Sequence, residues 1–146
     1  MACCFRTCCG WKKHPQRHGQ TFAKIEHQQR HNVVFVEFKS YQEDTELSSK
    51  GVNQFLGYLS DSRVNSLNDI VYVFNRKKIN DTQAKQKMQN VLRNNAPKIL
   101  SPIVQGGIGL TKVRQLFGNS ITTVQDFIDI IDVISGNPIY NFVITN

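Results

Sequence analysis

Short apolar runs and amphipathic segments alternate along the first half of the chain. Residues 33–36 are apolar without a polar break, and residues 70–74 form a second run of this kind. Such runs are typical of buried strands, and the first predicts a central strand covered on both faces. Between them, apolar positions at i, i+3, i+4 and i+7 predict a helix whose core-facing stripe is Val52, Phe55, Leu56 and Leu59. The order strand, helix, strand predicts a right-handed crossover between parallel strands.

The middle of the chain has a mainly helical pattern. Asn80 and the two residues after it are good helix caps, and the strong helix formers that follow predict a helix that runs through Arg93. The glycine-rich segment at residues 106–109 predicts a flexible connection. A short helix is predicted after it, around residues 113–117.

The C-terminal part predicts a capped apolar helix and a last strand. Thr122 with Gln125, or Thr123 with Asp126, makes a capping box before apolar positions that continue to Ile134. Gly136-Asn-Pro138 ends this helix, and residues 139–144 predict a final strand at a sheet edge or against a partner. Three acidic residues follow one another at three-residue spacing, namely Asp126, Asp129 and Asp132. This spacing favours the solvated edge of a helix over a metal site. Together these elements predict the α/β class, with a central mixed sheet and flanking helices.

Polar side chains gather where the first predicted strand ends. Glu37 and Lys39 are two residues apart, so both emerge on the same side of a strand. Gln54 and Tyr58 are four residues apart and form a row beside the apolar stripe of the next helix. A carboxylate can hold a divalent cation, and an ammonium can contact a water or phosphate oxygen, so this pattern suits phosphodiester cleavage. The alternative is that a strand leaving the core simply ends in charged residues, as many do.

These motifs resemble those of the PD-(D/E)XK nuclease superfamily. Glu37-Phe38-Lys39 matches its strand motif E-x-K, and Gln54 with Tyr58 matches the helical Q-x-x-x-Y of its RecB-like branch. The resemblance implies a restriction-endonuclease-like core and hydrolysis of DNA or RNA with Mg²⁺ or Mn²⁺. It implies that Glu37 ligates the metal, that Lys39 positions or activates the attacking water, and that Gln54 orients this water or contacts a phosphate. Tyr58 would support Gln54, stack on the nucleic acid, or pack in the core.

The acidic residue that the family carries on the preceding strand is not visible in this sequence. The hairpin partner of the first strand is expected at residues 20–26, and a turn near residues 28–31 places Phe22 roughly opposite Glu37. Glu26 is the only acid in the first thirty residues, and we take it with Glu37 as a candidate metal ligand, although this register places it at the turn. The alternatives for the second ligand are His18, Glu43 and Asp44.

The formal net charge of +7 is unevenly placed. Residues 1–30 carry six Lys or Arg and one acid, residues 76–98 carry seven and one acid, and residues 31–75 sum to −3. Basic flanks around an acidic centre suit a metal-dependent nuclease, because the cations neutralise phosphates. The candidate substrate-binding residues are therefore Arg76, Lys77 and Lys78, with Tyr58. The same three cations also fit an ordinary solvated turn.

All the cysteines lie at the N-terminus, at Cys3, Cys4, Cys8 and Cys9, ahead of His14 and His18. We expect residues 1–18 to form a basic, Cys-rich tail of poor order and residues 19–146 to form one nuclease-like α/β domain. Zinc binding by the Cys/His cluster, disulfides in an oxidising setting and acylation are alternatives for the tail.

No apolar stretch approaches the roughly 18–20 residues that span a bilayer, and the N-terminus lacks the apolar core of a secretory signal. We therefore expect a soluble protein that acts in the cytoplasm. The chain also resembles the small basic nuclease domains of bacterial contact-dependent toxins, which implies delivery from another cell and a cognate immunity protein. Two other functions stay open: a nuclease fold that has lost catalysis and binds nucleic acid or protein, and an interaction protein whose E-x-K is accidental.

Overall fold

The computed structural model describes residues 33–104 and 106–146. The predicted tail and hairpin partner, with the candidate ligands His18 and Glu26, lie outside the described residues. In chain order the elements are β1 (Phe35–Lys39), α1 (Ser49–Ser60), β2 (Ile70–Phe74), α2 (Asp81–Asn94), α3 (Ala96–Leu100), α4 (Gly109–Phe117), α5 (Val124–Asp132) and β3 (Val143–Thr145). Short 3-10 helices at Leu67–Asp69 and Pro138–Phe142 precede β2 and β3. The predicted α/β class is confirmed.

The described strands form one parallel sheet in the order β1-β2-β3. Glu37 pairs in register with Tyr72, and Tyr72 pairs with Val143 on the other side. The predicted parallel pairing of the first two strands is therefore confirmed. The antiparallel strand that would make the sheet mixed was assigned to residues 20–26, outside the described part of the chain. β2, which is buried along its whole length, is the central strand of the described sheet.

The two faces of the sheet have different surroundings. One face belongs to the main core, where the α1 stripe packs on it; its members are Ile70, Tyr72, Phe74 and Val143. By strand alternation and register the opposite face carries Val36, Phe38, Val71, Val73 and Ile144. There Val36 is 50 % exposed and Phe38 is 62 % exposed. Within the described residues, β1 lies at an edge of the sheet and this face of it is exposed, which differs from the predicted central strand covered on both faces. The strand expected beside β1, at residues 20–26, lies outside the described residues.

Side-chain caps explain where two of the helices begin. Asn80 accepts a hydrogen bond from the backbone N–H of Gln83, which starts α2 at the predicted place. Thr123 accepts from the N–H of Asp126, and Asp126 accepts from the N–H of Thr123. Of the two capping boxes that the sequence allowed, the structure contains the second.

The last two predicted elements differ from the structure in their bounds. α5 ends at Asp132 rather than Ile134, because the Asn137 side-chain amide donates to the carbonyls of Ile130 and Val133 at 2.9 and 2.8 Å. Residues 139–144 do not form a continuous strand. Pro138 cannot donate to a sheet ladder, and Asn137 accepts from the N–H of Ile139, so a 3-10 turn comes first and the strand is limited to β3.

The middle helix α4 begins at Gly109, about one turn before the predicted residues 113–117. None of the helices in the described ranges is long and apolar enough to cross a membrane.

Candidate functional site

The candidate site lies where β1 meets the side of α1. Glu37 and Lys39 are on the β1 face that turns toward the core, as their two-residue spacing requires. Ser48 caps α1 by accepting from the N–H of Gly51, and Phe55, Leu56 and Leu59 are buried against the sheet. This burial sets the rotation of the helix, so Gln54 and Tyr58 are directed at β1.

Glu37 is the centre of a closed hydrogen-bond network. Lys39 Nζ donates to Glu37 Oε1 at 3.0 Å. Gln54 Nε2 and the Tyr58 hydroxyl both donate to Glu37 Oε2, at 2.8 and 3.0 Å. Gln54 Nε2 also donates to the Tyr58 oxygen at 2.5 Å, and its Oε1 lies 3.5 Å from Lys39 Nζ. We call these four residues, Glu37, Lys39, Gln54 and Tyr58, the carboxylate cluster.

The network determines the charge of its members near neutral pH. Burial alone would raise the pKa of Glu37, but hydrogen bonds from Lys39 and Tyr58, the ammonium charge and the Gln54 amide outweigh it, so the pKa is lowered below 4.5. Burial raises the pKa of the Tyr58 phenol, and its hydrogen bond to the Glu37 carboxylate raises it further. The cluster therefore contains an ionised carboxylate and a neutral phenol. Both charged side chains are largely shielded, with 21 % of Glu37 and 10 % of Lys39 exposed.

Aromatic rings form the floor of the carboxylate cluster. Phe35 stacks on Tyr58 with ring centroids 4.2 Å apart, and the Arg63 guanidinium lies 5.1 Å from the Phe35 centroid. Lys39 Nζ lies 5.7 Å from the ring centroid of Tyr72, a distance at which a cation is attracted to the ring. The rings hold both Tyr58 and the ammonium in place, because neither can rotate away without losing a packed contact.

Tyr72 is the residue of this site that the sequence reasoning missed. It is fully buried, and its hydroxyl has no hydrogen-bond partner among residues 33–104 and 106–146. Burial raises its pKa far above 10, and the Glu37 charge adds to this effect, so the hydroxyl stays protonated. The pairing of the two parallel strands identifies this residue, because Tyr72 is the position in β2 that pairs with Glu37 in β1.

The donors of the carboxylate cluster suit a hard divalent cation in type. Glu37 offers carboxylate oxygens and Gln54 an amide oxygen, which are ligands that Mg²⁺ accepts. Among the described residues, Glu37 Oε1 accepts a hydrogen bond from Lys39 alone, which leaves one of its lone pairs without a partner there. The described residues contain no group of three or more His, Cys, Asp or Glu side chains that could hold a metal ion. Glu37 is thus the single carboxylate of the described cluster.

The alternative ligands Glu43 and Asp44 lie in an exposed loop between β1 and α1. They line a surface depression with Lys77 and Lys78, which does not include Glu37. The buried Lys87 ammonium donates to the backbone carbonyl of Glu43 and ties this loop to α2. The structure therefore does not bring these two carboxylates into the cluster.

The three predicted cations of the basic turn follow β2 directly. The turn lies at the carboxyl edge of the sheet, because the N–H of Asn75 donates to the Lys39 carbonyl and Lys78 Nζ lies 3.4 Å from the Ser40 carbonyl. Arg76 donates its backbone N–H to the carbonyl of Asn146. Arg76, Lys77 and Lys78 thus lie at the sheet edge where Lys39 ends β1, and in the described residues they do not enter the hydrogen-bond network of the carboxylate cluster.

The acidic row of α5 is occupied by contacts within the protein. Hydrogen bonds from Thr122 and from the Thr123 N–H lower the pKa of Asp126 to about 2. Asp129 accepts from Gln125, and Asp132 forms an ion pair with Arg93 at 2.9 Å. These partners agree with the interpretation of the row as a helix edge.

Comparisons of the chain with models of known protein families, with curated proteins and with solved structures found no match.

Proposed function

We propose that the chain is a metal-dependent nuclease with a restriction-endonuclease-like core, which hydrolyses phosphodiester bonds of DNA or RNA at the carboxylate cluster. The observation that supports this proposal is the convergence of Glu37, Lys39, Gln54 and Tyr58 in one network, although they come from two elements. An ionised carboxylate can hold a metal ion, and a shielded ammonium and an orienting amide can stabilise and position the groups that react in phosphodiester hydrolysis.

Each residue of the cluster has a distinct task in this proposal. Glu37 would hold Mg²⁺ or Mn²⁺, and Gln54 would orient the attacking water or contact a phosphate. The bound ion would polarise the scissile phosphate and lower the pKa of its water. Lys39 Nζ donates to Glu37 Oε1 and lies 3.5 Å from Gln54 Oε1, and it would stabilise the negative charge that develops on the phosphate. Tyr58 fixes Glu37 Oε2 and the Gln54 amide, so its task is to position both groups.

The basic turn, Arg76 to Lys78, would bind the nucleic-acid backbone. Arg76, Lys77 and Lys78 lie at the sheet edge where Lys39 ends β1, and they would bind phosphates on either side of the scissile bond. A small basic nuclease of this kind also fits the toxin setting, in which the producing cell needs an immunity protein that covers the site.

A catalytically inactive nucleic-acid-binding module is the second candidate function. It is favoured by the closed network, because Lys39, Gln54 and Tyr58 already donate to Glu37 and no second carboxylate joins it in the described residues. Such a module would bind nucleic acid through its cations, with strong salt dependence and without a need for divalent metal.

Incubation of the full chain with plasmid DNA, single-stranded DNA and total tRNA tests the proposal. Each substrate is given Mg²⁺, Mn²⁺ or chelator. We expect wild type to cleave at least one of them only with metal, and Glu37→Gln and Lys39→Ala to abolish cleavage. Glu46→Gln is the matched control, because it removes the same charge from an exposed residue outside the cluster. It should cleave like wild type.

Thermal melts by circular dichroism must show that all variants are folded. Cleavage by Glu37→Gln at the wild-type rate would contradict the assigned site. Absence of cleavage by folded wild type, with salt-sensitive binding retained, would instead favour the inactive module.

A further inference from the structure

An exposed aromatic ring stands on the sheet face opposite the carboxylate cluster. Phe38 lies between Glu37 and Lys39 in β1, so strand alternation turns its side chain to the other face. It is 62 % exposed, which is unusual for a phenylalanine in a strand, and Val36 beside it is half exposed. Together the two side chains form an exposed apolar patch, the kind of surface at which proteins contact ligands or partners.

Phe38 borders an open depression of about 520 Å³ at the carboxyl edge of the sheet. Val73 and the Phe38 ring give it an apolar wall, and Ser40, Asn75 and Lys77 give it polar ones. Asn75 is held in place, because its side-chain oxygen accepts from the N–H of Lys77 at 3.0 Å. The volume falls in the range of small-ligand sites, which is roughly 300–1,000 Å³.

The surroundings of the ring identify the chemistry of the ligand. Lys77 lines the depression itself, and Arg76 and Lys78 flank it in sequence. An aromatic surface beside several cations is the combination that binds a nucleobase with its phosphate, because the base stacks on the ring and the phosphate is neutralised. A purely apolar peptide would gain nothing from these cations.

We propose that this depression binds one unpaired nucleobase, stacked on Phe38, with the neighbouring phosphate at Lys77. The substrate class of the proposed nuclease is then single-stranded nucleic acid or an unpaired end, and the inference rests on that proposed function. A base inside a duplex has both faces covered by its neighbours, so it cannot stack on Phe38 unless it leaves the helix. Every base has a stacking face, so the site discriminates by strandedness and not by sequence.

The position of the ring connects this site to the carboxylate cluster. Phe38 is the residue between Glu37 and Lys39 in β1, and Lys39, a member of the carboxylate cluster, also lines the depression. A polynucleotide that crosses the carboxyl edge of the sheet can therefore meet both faces. One nucleotide is held by its base while a phosphate of the same strand reaches the cluster.

Fluorescence anisotropy of the full chain in chelator tests the site without catalysis. The probes are labelled single-stranded DNA, single-stranded RNA and a blunt DNA duplex, each of twelve nucleotides per strand. We expect tighter binding of the single strands. Phe38→Ala should weaken single-strand binding by about 5- to 150-fold, which is the loss of one stacked base, and should leave duplex binding unchanged.

Two further variants separate stacking from general loss of apolar surface. Phe38→Trp should retain single-strand binding and Phe38→Leu should not, because only the former keeps an aromatic face. Ile103→Ala is the matched control, since Ile103 is 92 % exposed and does not line the depression. It should bind like wild type. Phe38 is exposed, so these variants should fold, and melts by circular dichroism check this.

Equal single-strand affinities of Phe38→Ala and Phe38→Trp, or equal binding of duplex and single strand, would overturn the inference. It would also be overturned if Phe38→Ala changed a dimer into a monomer in sedimentation with oligonucleotide affinity unchanged, because the face would then contact a second copy. If the protein cleaves no substrate but binds single strands through Phe38, the base-binding site would be supported and only the proposed nuclease activity would be refuted.

Discussion

Replacing Tyr72 by Phe should stabilise the protein. The Tyr72 hydroxyl is buried and has no hydrogen-bond partner in the described part of the chain, whereas in the unfolded chain it bonds to water. An unsatisfied buried polar group costs about 1–3 kcal/mol, and Tyr72→Phe removes this cost. The ring contacts are kept, since Phe55 and Phe142 meet the ring edge to face at centroid distances of 5.4 and 6.3 Å.

The expected gain is about 1–3 kcal/mol in the free energy of unfolding. For a chain of this size, that corresponds to roughly 3 °C in Tm for each kcal/mol. Urea titrations followed by far-ultraviolet circular dichroism measure it, provided that the m-value is the same in wild type and variant. A higher midpoint at constant m-value is the predicted outcome.

Tyr140 is a matched control with the opposite sign. It is also fully buried, but its hydroxyl donates to the carbonyl of Ile131 at 2.5 Å. Tyr140→Phe should therefore destabilise the protein by about 1 kcal/mol, the usual net value of one hydrogen bond. The Ile131 carbonyl still accepts from Gln89 at 3.0 Å, so the loss should stay near this value.

Comparison of Tyr72→Phe with Tyr140→Phe tests whether the Tyr72 hydroxyl lacks a hydrogen-bond partner in the folded protein. If Tyr72→Phe lowered the urea midpoint as Tyr140→Phe does, the Tyr72 hydroxyl would have to be hydrogen-bonded in the folded protein. The account of the floor of the carboxylate cluster would then be wrong.

Two more predictions concern the carboxylate cluster and a helix cap. Tyr58→Phe removes a donor to Glu37 Oε2, so the pKa of Glu37 should rise, as measured by carbon NMR of the carboxyl group. The lowered pKa of Glu37 stabilises the folded state above pH 4.5, and this stabilisation is lost as the pH falls through the pKa of the folded state. Acid unfolding of Tyr58→Phe should therefore begin at a higher pH than that of wild type. An unchanged pKa of Glu37 in the variant would contradict this prediction. Thr123→Ala should cost about 1 kcal/mol in urea unfolding, because it removes the α5 cap. Thr111→Ala, at an exposed position in the first turn of α4, is a near-neutral control, and equal effects of both would contradict the capping role.

Some of the site follows from local rules of the chain. The apolar run at residues 70–74 became β2 with the same bounds, because five consecutive apolar residues match the length of a buried strand and are too few for a typical buried helix. Glu37 and Lys39 share a face through strand alternation, and Gln54 and Tyr58 share one through helix periodicity. Each of these relations depends on residues fewer than five positions apart.

Other features depend on contacts outside a single helix or strand, and these were missed or predicted with different bounds. Val36 has the same apolar context as a buried residue, yet it is half exposed because β1 lies at the edge of the described sheet. α5 ends earlier than predicted because the Asn137 side-chain amide donates to the carbonyls of Ile130 and Val133. Neither result is visible in a local pattern, since sheet order and chain reversal are decided by contacts between separate elements.

The sequence by itself therefore determined the strand and helix faces and the residue types that the cluster offers. Only the tertiary structure decided that three donors meet on Glu37, that Tyr72 lies beneath Lys39, and that Phe38 faces outward beside Lys77. The physical reason is one of range. Periodicity sets the direction of a side chain within its own element, whereas hydrogen bonds, burial and pKa shifts arise only when separate elements pack together.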